Sequence, residues 1–76
     1  MNVKCVVACT NANGSPDFFP CEVIISKNGY DLGEHYDLAK EKAIAEHYEG
    51  VMIVFEPADG PKFLFDHFFP KVKKSN

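Results

Sequence analysis

The stretch that decides the fold lies at the centre of the chain and reads DLGEHYDLAKEKAIAEHYEG over residues 31–50. Asp31 can cap the N-terminus of a helix, with Glu34 three residues later in the position that a capping box requires. Gly50 suits the C-terminal end, because glycine readily adopts the left-handed backbone that terminates many helices. The pattern therefore predicts a helix over residues 32–48. The stripe expected to face the core contains Leu32, Tyr36, Ala39, Ala43 and His47.

Four short stretches around this helix are typical of β-strands, two before it and two after it. Turn-forming residues separate them, and they cover residues 3–10, 18–26, 51–56 and 62–68. Pro20 favours an edge position for the second strand, because proline cannot donate to a strand ladder. The order ββαββ predicts an α+β fold, a four-stranded, mainly antiparallel sheet with one helix packed on one face. The expected strand order is 2-1-3-4.

A single helix shields only one face of such a sheet, yet both faces carry apolar side chains. Successive side chains of a strand point to opposite faces, so the parity of the residue numbers separates the two sets. The odd-numbered set is almost wholly apolar and is expected to face the helix. The even-numbered set has an apolar centre and a charged rim, which is typical of a contact surface. The predicted interaction surface consists of Val6, Ala8, Ile24, Met52, Val54 and Leu64.

This unshielded face predicts a partner. Closed two-fold dimers are the commonest oligomers, so we expect a homodimer through the even-numbered face or through a strand edge, with another protein as the alternative. The competing interpretation is that loops and the C-terminal tail fold back over the face. The function expected from these features is that of a small, non-enzymatic interaction module.

Composition narrows the class of protein. The chain has 76 residues, 46% of them hydrophobic, which supports one compact domain at residues 1–70 and a flexible, Lys-rich tail at residues 71–76. The net charge is −3 and all eight basic residues are lysine, which disfavours nucleic-acid binding. No apolar run approaches the length of a membrane span, and the N-terminus does not resemble a signal peptide. We expect a cytoplasmic protein without membrane association.

The phenylalanines nevertheless keep a nucleic-acid alternative open. Exposed rings could stack on the bases of a single strand while lysines of the tail contact phosphates. Phe63 and Phe65 share the parity of the core set, which argues against that use. The candidate rings are the pairs Phe18–Phe19 and Phe68–Phe69, together with Phe63 and Phe65.

Three cysteines share the odd-numbered face with His67, and thiolate and imidazole are the ligands that zinc prefers. Cys5 and Cys9 are four residues apart on a strand, which separates their Cα atoms by about 13 Å at ~3.3 Å per residue. Two sulfurs on one ion cannot lie so far apart. We therefore expect the three thiols to be buried in the core and expect no cofactor. A metal or thiol site at Cys5, Cys9, Cys21 and His67 is the weaker alternative.

A disulfide requires Cys21 to lie opposite one of the other two cysteines. The simplest hairpin alignment pairs Thr10 with Phe18, and this places Cys21 opposite Val7. That alignment predicts no disulfide, in keeping with reduced thiols.

Titratable residues do not form a catalytic pair in the predicted sheet, so no enzymatic activity is expected. His35, near the start of the helix, is expected to face water. The acidic residues of the strands and turns are expected to form a charged rim that keeps strand edges soluble. These residues are Glu22, Glu56, Asp59 and Asp66.

Overall fold

The computed structural model describes residues 1–70 and contains a three-stranded antiparallel sheet with one helix on each of its faces. β1 is the central strand, and the sheet order is β2-β1-β3. Within the described part of the chain, no helix has the length and apolar character that crossing a bilayer requires. The predicted tail at residues 71–76 lies outside the described residues. The elements are β1 (Asn2–Thr10), β2 (Pro16–Ile24), α1 (Glu34–Ala45), β3 (Glu49–Phe55) and α2 (Lys62–Phe68).

The prediction of a four-stranded sheet with one helix is wrong, because the fourth predicted strand is the helix α2. The alternation of Phe63, Phe65 and His67 suggested a strand, but the same stretch also carries apolar residues at helical spacing. Lys62 contacts Asp66 one helical turn later, with 2.9 Å between Nζ and Oδ2. The α+β class is retained. The residues at helical spacing are Leu64, Phe65, Phe68 and Phe69.

α1 packs on one face of the sheet, as the sequence predicts, and we call this the inner face. Ala39 and Ala43 are fully buried, because their short side chains let the helix lie close to the strands. The two ends of the predicted stripe are not buried, because Leu32 and His47 are exposed to solvent. The strand residues buried beneath the helix are Val3, Cys5, Val7, Cys9, Cys21 and Val23, with Ile25 just beyond β2.

The capping contacts and the backbone conformation at the two ends of α1 differ from the prediction. The expected capping box does not form: Gly33 precedes the helix with φ +73°, and no side chain caps it. The Glu34 carboxylate instead accepts a hydrogen bond from the backbone N–H of Ser26 at 2.8 Å. After the helix, His47 adopts a left-handed conformation (φ 69°) before Gly50 does so again (φ 82°). Polar contacts to the preceding loop therefore replace the predicted cap.

α2 covers the centre of the opposite face of the sheet, which we call the outer face, and forms a second, smaller core there. Val6 is completely buried there, together with Leu64 and Phe65. The rings of Phe55, Phe68 and Phe69 pack around them. A part of the face predicted to need a partner is thus covered by the chain's own C-terminal helix.

The side chains of β3 point the opposite way from the parity prediction. Val54 lies opposite Val7 and therefore shares the inner face, whereas Ile53 lies opposite Ala8 on the outer face. Met52 accordingly packs with Val54 towards α1. Parity holds only within one strand, because the register between strands depends on how each one is paired.

Candidate functional site

The six residues of the predicted interaction surface do not form one exposed face. The second core buries Val6 and Leu64. Met52 and Val54 are half-buried against the core beneath α1. The prediction that these four residues share one exposed face is therefore wrong, because α2 covers two of them and the register of β3 turns the other two towards α1.

The outer face stays open around Ala8, beyond the part that α2 covers. Ala8 lies opposite Phe18 of β2 and opposite Ile53 of β3, so the three side chains form a row across the sheet. Phe18 and Ile53 are both exposed, and Val51 further along β3 is 83% exposed. Ile24, the sixth predicted residue, is 74% exposed at the far end of β2.

β3 is an open edge of the sheet. β1 pairs with one side of β3, and no strand among residues 1–70 pairs with the other. An edge of this kind presents unpaired backbone N–H and C=O groups that can pair with another chain. The other edge strand, β2, is protected by Pro16, Pro20 and the charged residues Asp17 and Glu22. β3 has no proline and, after its first residue, no charge.

A groove of about 500 Å³ runs beside this edge, between α1 and β3. Ile44 of α1 and Met52 of β3 line it, and Ile44 is exposed. Val51 and Ile53 lie on the other side of the same strand. The edge therefore carries apolar side chains above and below its backbone. We call the open edge of β3, together with Ile44, Val51, Met52 and Ile53, the β3 surface.

A buried polar cluster joins the start of α1 to the end of β3. Glu56 is 5% exposed, and its carboxyl group accepts hydrogen bonds from the hydroxyls of Tyr30 and Tyr36, the latter at 2.6 Å. Nε2 of His35 lies 3.3 Å from the same carboxyl group. The His35 ring is 1% exposed and stacks on Tyr30, with 4.7 Å between ring centroids. The predictions that His35 faces water and that Glu56 belongs to a solvated rim are wrong.

The chemistry of the cluster is that of a structural link. Burial raises the pKa of Glu56, and the nearby Asp59 raises it further. Both carboxyl oxygens are in contact with groups of the chain itself, which joins the segment at the start of α1 to the end of β3. The sequence signal was present but weak: Tyr30, His35 and Tyr36 lie within seven residues at the start of the helix. Their common partner, Glu56, comes from a distant segment.

The hairpin register differs from the predicted one by two residues. Thr10 pairs with Pro16, and Cys5 therefore lies directly opposite Cys21. Both thiols are free and buried. The alignment that argued against a disulfide is wrong.

The cysteines and His67 do not come together. Cys5, Cys9 and Cys21 line the inner face beneath α1, whereas His67 is an exposed residue of α2 on the other side of the sheet. Over residues 1–70, no group of three or more Cys, His, Asp or Glu side chains is arranged to hold a metal ion. The metal alternative therefore has no geometric support in the described part of the chain.

The phenylalanines predicted to contact nucleic acid do not form one exposed surface either. Phe65, Phe68 and Phe69 pack in the second core. Phe18 and Phe63 are exposed but belong to different elements, β2 and α2. The rings predicted to stack on bases are thus largely used for packing.

Comparison with models of protein families, with curated proteins and with solved structures finds no match for this chain.

Proposed function

We propose that this chain is a non-enzymatic interaction module that forms a homodimer through the β3 surface. The supporting observation is a strand edge that has neither proline nor charge over residues 50–55, with exposed apolar side chains on both sides of the sheet beside it. Monomeric proteins often protect such edges with charges and prolines, as β2 does here, whereas β3 has only an irregularity in its pairing with β1 between Ala8 and Thr10. Pairing with a second copy would satisfy the backbone groups of β3 and remove its apolar side chains from water.

Two-fold pairing suits the arrangement of these residues. Antiparallel alignment of two β3 strands would join two three-stranded sheets into one continuous sheet. On the inner side, Ile44 and Met52 of one protomer would meet the same residues of the other. On the outer side, Val51 and Ile53 would do the same. A self-complementary patch of this kind is what an isologous interface requires.

Charges at the groove support a second copy of the chain as the occupant. Lys40 and Glu49 both line the groove beside β3. Neither forms an ion pair with another residue in the described range. Two-fold pairing at β3 would place the grooves of the two protomers beside the same strand junction, where Lys40 and Glu49 of each are available to the other. Rim charges of this type contribute mainly to orientation and specificity.

Val51→Lys is expected to convert the dimer into a folded monomer. Val51 is 83% exposed, so lysine is tolerated in the monomer, whereas in the dimer two lysines would lie close together at a strand edge. Sedimentation velocity gives the oligomeric state, and circular dichroism confirms folding. Ile24→Lys is the matched control, because Ile24 is 74% exposed on the opposite edge strand and its substitution should leave the dimer intact.

Two results would contradict the proposed interface. If Val51→Lys remains dimeric, β3 does not mediate association. If Ile24→Lys alone gives monomers, association takes place through β2.

A further inference from the structure

Cys5 and Cys21 have the arrangement of a thiol pair that can be oxidised. They are direct partners across β1 and β2. Residues in that relation have Cα atoms about 4.5–5.5 Å apart, inside the range of roughly 4.4–6.8 Å that disulfides span. The third cysteine, Cys9, lies opposite Asp17 and has no thiol partner across the strands.

We propose that Cys21 and Cys5 form a redox-active pair that is oxidised by low-molecular-weight disulfides such as glutathione disulfide. Cys21 is the attacking thiol and Cys5 the resolving thiol. The product is an intramolecular disulfide that links β1 to β2. This pair lies on the inner face, between the central strand and the protected edge, and its oxidation does not depend on dimerisation through β3.

The two thiols differ in the ways that these roles require. Cys5 is completely buried on the central strand, whereas Cys21 is 9% exposed on an edge strand. Burial raises the pKa of both thiols, that of Cys5 to about 12. The Lys42 ammonium partly offsets this effect at Cys21, because a positive charge favours the thiolate. Cys21 is thus the more exposed of the two thiols and the one whose thiolate a neighbouring positive charge favours, which are the properties of an attacking thiol.

The exchange balances in two steps. The Cys21 thiolate attacks one sulfur of the small disulfide, which breaks its S–S bond, releases one small thiolate and leaves a mixed disulfide on Cys21. Cys5 then loses its proton, and its sulfur attacks the sulfur of Cys21, which releases the second small thiolate. The chain loses two electrons and two protons, and the small disulfide becomes two thiols. The fixed position of Cys5 opposite Cys21 favours the second step over the return of the first.

Single substitutions separate the two roles. The folded protein and its variants are incubated with glutathione disulfide, and intact mass and free thiols are measured over time. The unsubstituted chain should form the internal disulfide, with no lasting adduct and one free thiol. Cys5→Ser should accumulate one glutathione on Cys21, and Cys21→Ser should form neither adduct nor disulfide. Cys9→Ser is the matched control and should form the disulfide with no thiol left free.

Because Cys5 is fully buried, Cys5→Ala serves as a second resolving-thiol variant if the serine variant does not fold. Oxidised protein should also melt at a higher temperature than reduced protein, since the link restrains the unfolded chain. Three free thiols after prolonged incubation of the unsubstituted chain would overturn the proposal. A persistent glutathione adduct on that chain, or a disulfide that includes Cys9, would do so as well.

Discussion

Replacing Glu56 with alanine is expected to destabilise the fold by about 2–4 kcal/mol. The substitution removes the acceptor shared by Tyr30, His35 and Tyr36. Each buried donor that loses its partner costs roughly 1–3 kcal/mol, reduced where water can reach the tyrosine hydroxyls. The start of α1 would also lose its link to the end of β3. Urea unfolding followed by circular dichroism measures the change.

Glu22→Ala is the control for this loss, because Glu22 is an exposed acidic residue of β2 with no side-chain hydrogen bond within residues 1–70. Its effect should stay within about 0.5 kcal/mol. Equal stability of the Glu56→Ala and Glu22→Ala variants would show that the buried cluster does not hold the helix to the sheet.

The pH dependence of Glu56 has a definite sign. Burial and Asp59 raise the pKa of Glu56 above its ordinary value of 4.5, so the folded state favours the protonated carboxyl group. Its contribution to stability is fully present below pH 4.5 and is lost as the pH rises through the raised pKa. The free energy of unfolding of the unsubstituted protein, relative to Glu56→Gln, should therefore fall across that window. A relative stability that rises with pH would mean that the fold favours the carboxylate instead.

Replacing Phe65 with alanine is expected to cost about 3–5 kcal/mol, the usual range for a buried phenylalanine. Phe65 packs in the second core with Val6 and Leu64. α2 has seven residues and cannot form a stable helix without tertiary packing. We therefore expect α2 to detach and the outer face around Val6 to become exposed. Chemical denaturation measures the stability, and amide hydrogen exchange reports the loss of α2.

Phe63→Ala is the control from the same helix. Phe63 is 75% exposed, so its substitution should change the stability by no more than about 0.5 kcal/mol. If the two variants are equally stable, α2 does not pack on the sheet as described.

The α+β class, three of the strands and the central helix follow from the sequence, because each has a clear periodicity and turn residues at its ends. α2 does not, since its seven residues satisfy both a strand pattern and a helix pattern. The choice depends on packing against Val6, which is distant in sequence, and against Phe55 at the end of β3. A short stretch cannot reveal such contacts by its own periodicity.

The hairpin register differs from the predicted one because of contacts within the turn. The side-chain carbonyl of Asn11 accepts hydrogen bonds from the backbone N–H groups of Asn13 and Ser15, at 2.9 and 3.1 Å. These bonds close the turn early and pair Thr10 with Pro16. The sequence pattern favours a turn at Pro16, but Pro16 begins β2, and this difference is what brings Cys21 opposite Cys5.

The candidate site was only partly predictable. An apolar surface that needs a partner follows from the composition of the strands, but its residues do not. Four of the six predicted residues are covered by α2 or face α1, whereas strand parity predicts a core position for Val51 and Ile53, which are exposed. The error arises from the register of β3, which only the pairing with β1 determines.

Amide hydrogen exchange along the two edge strands tests the central claim most directly. In a single chain, β2 and β3 both leave backbone N–H groups unpaired on their outer sides, so both sets should exchange quickly. A dimer through the β3 surface predicts slow exchange for the outward N–H groups of residues 50–55 and fast exchange for those of β2. Equally fast exchange at both edges would contradict the proposed interface.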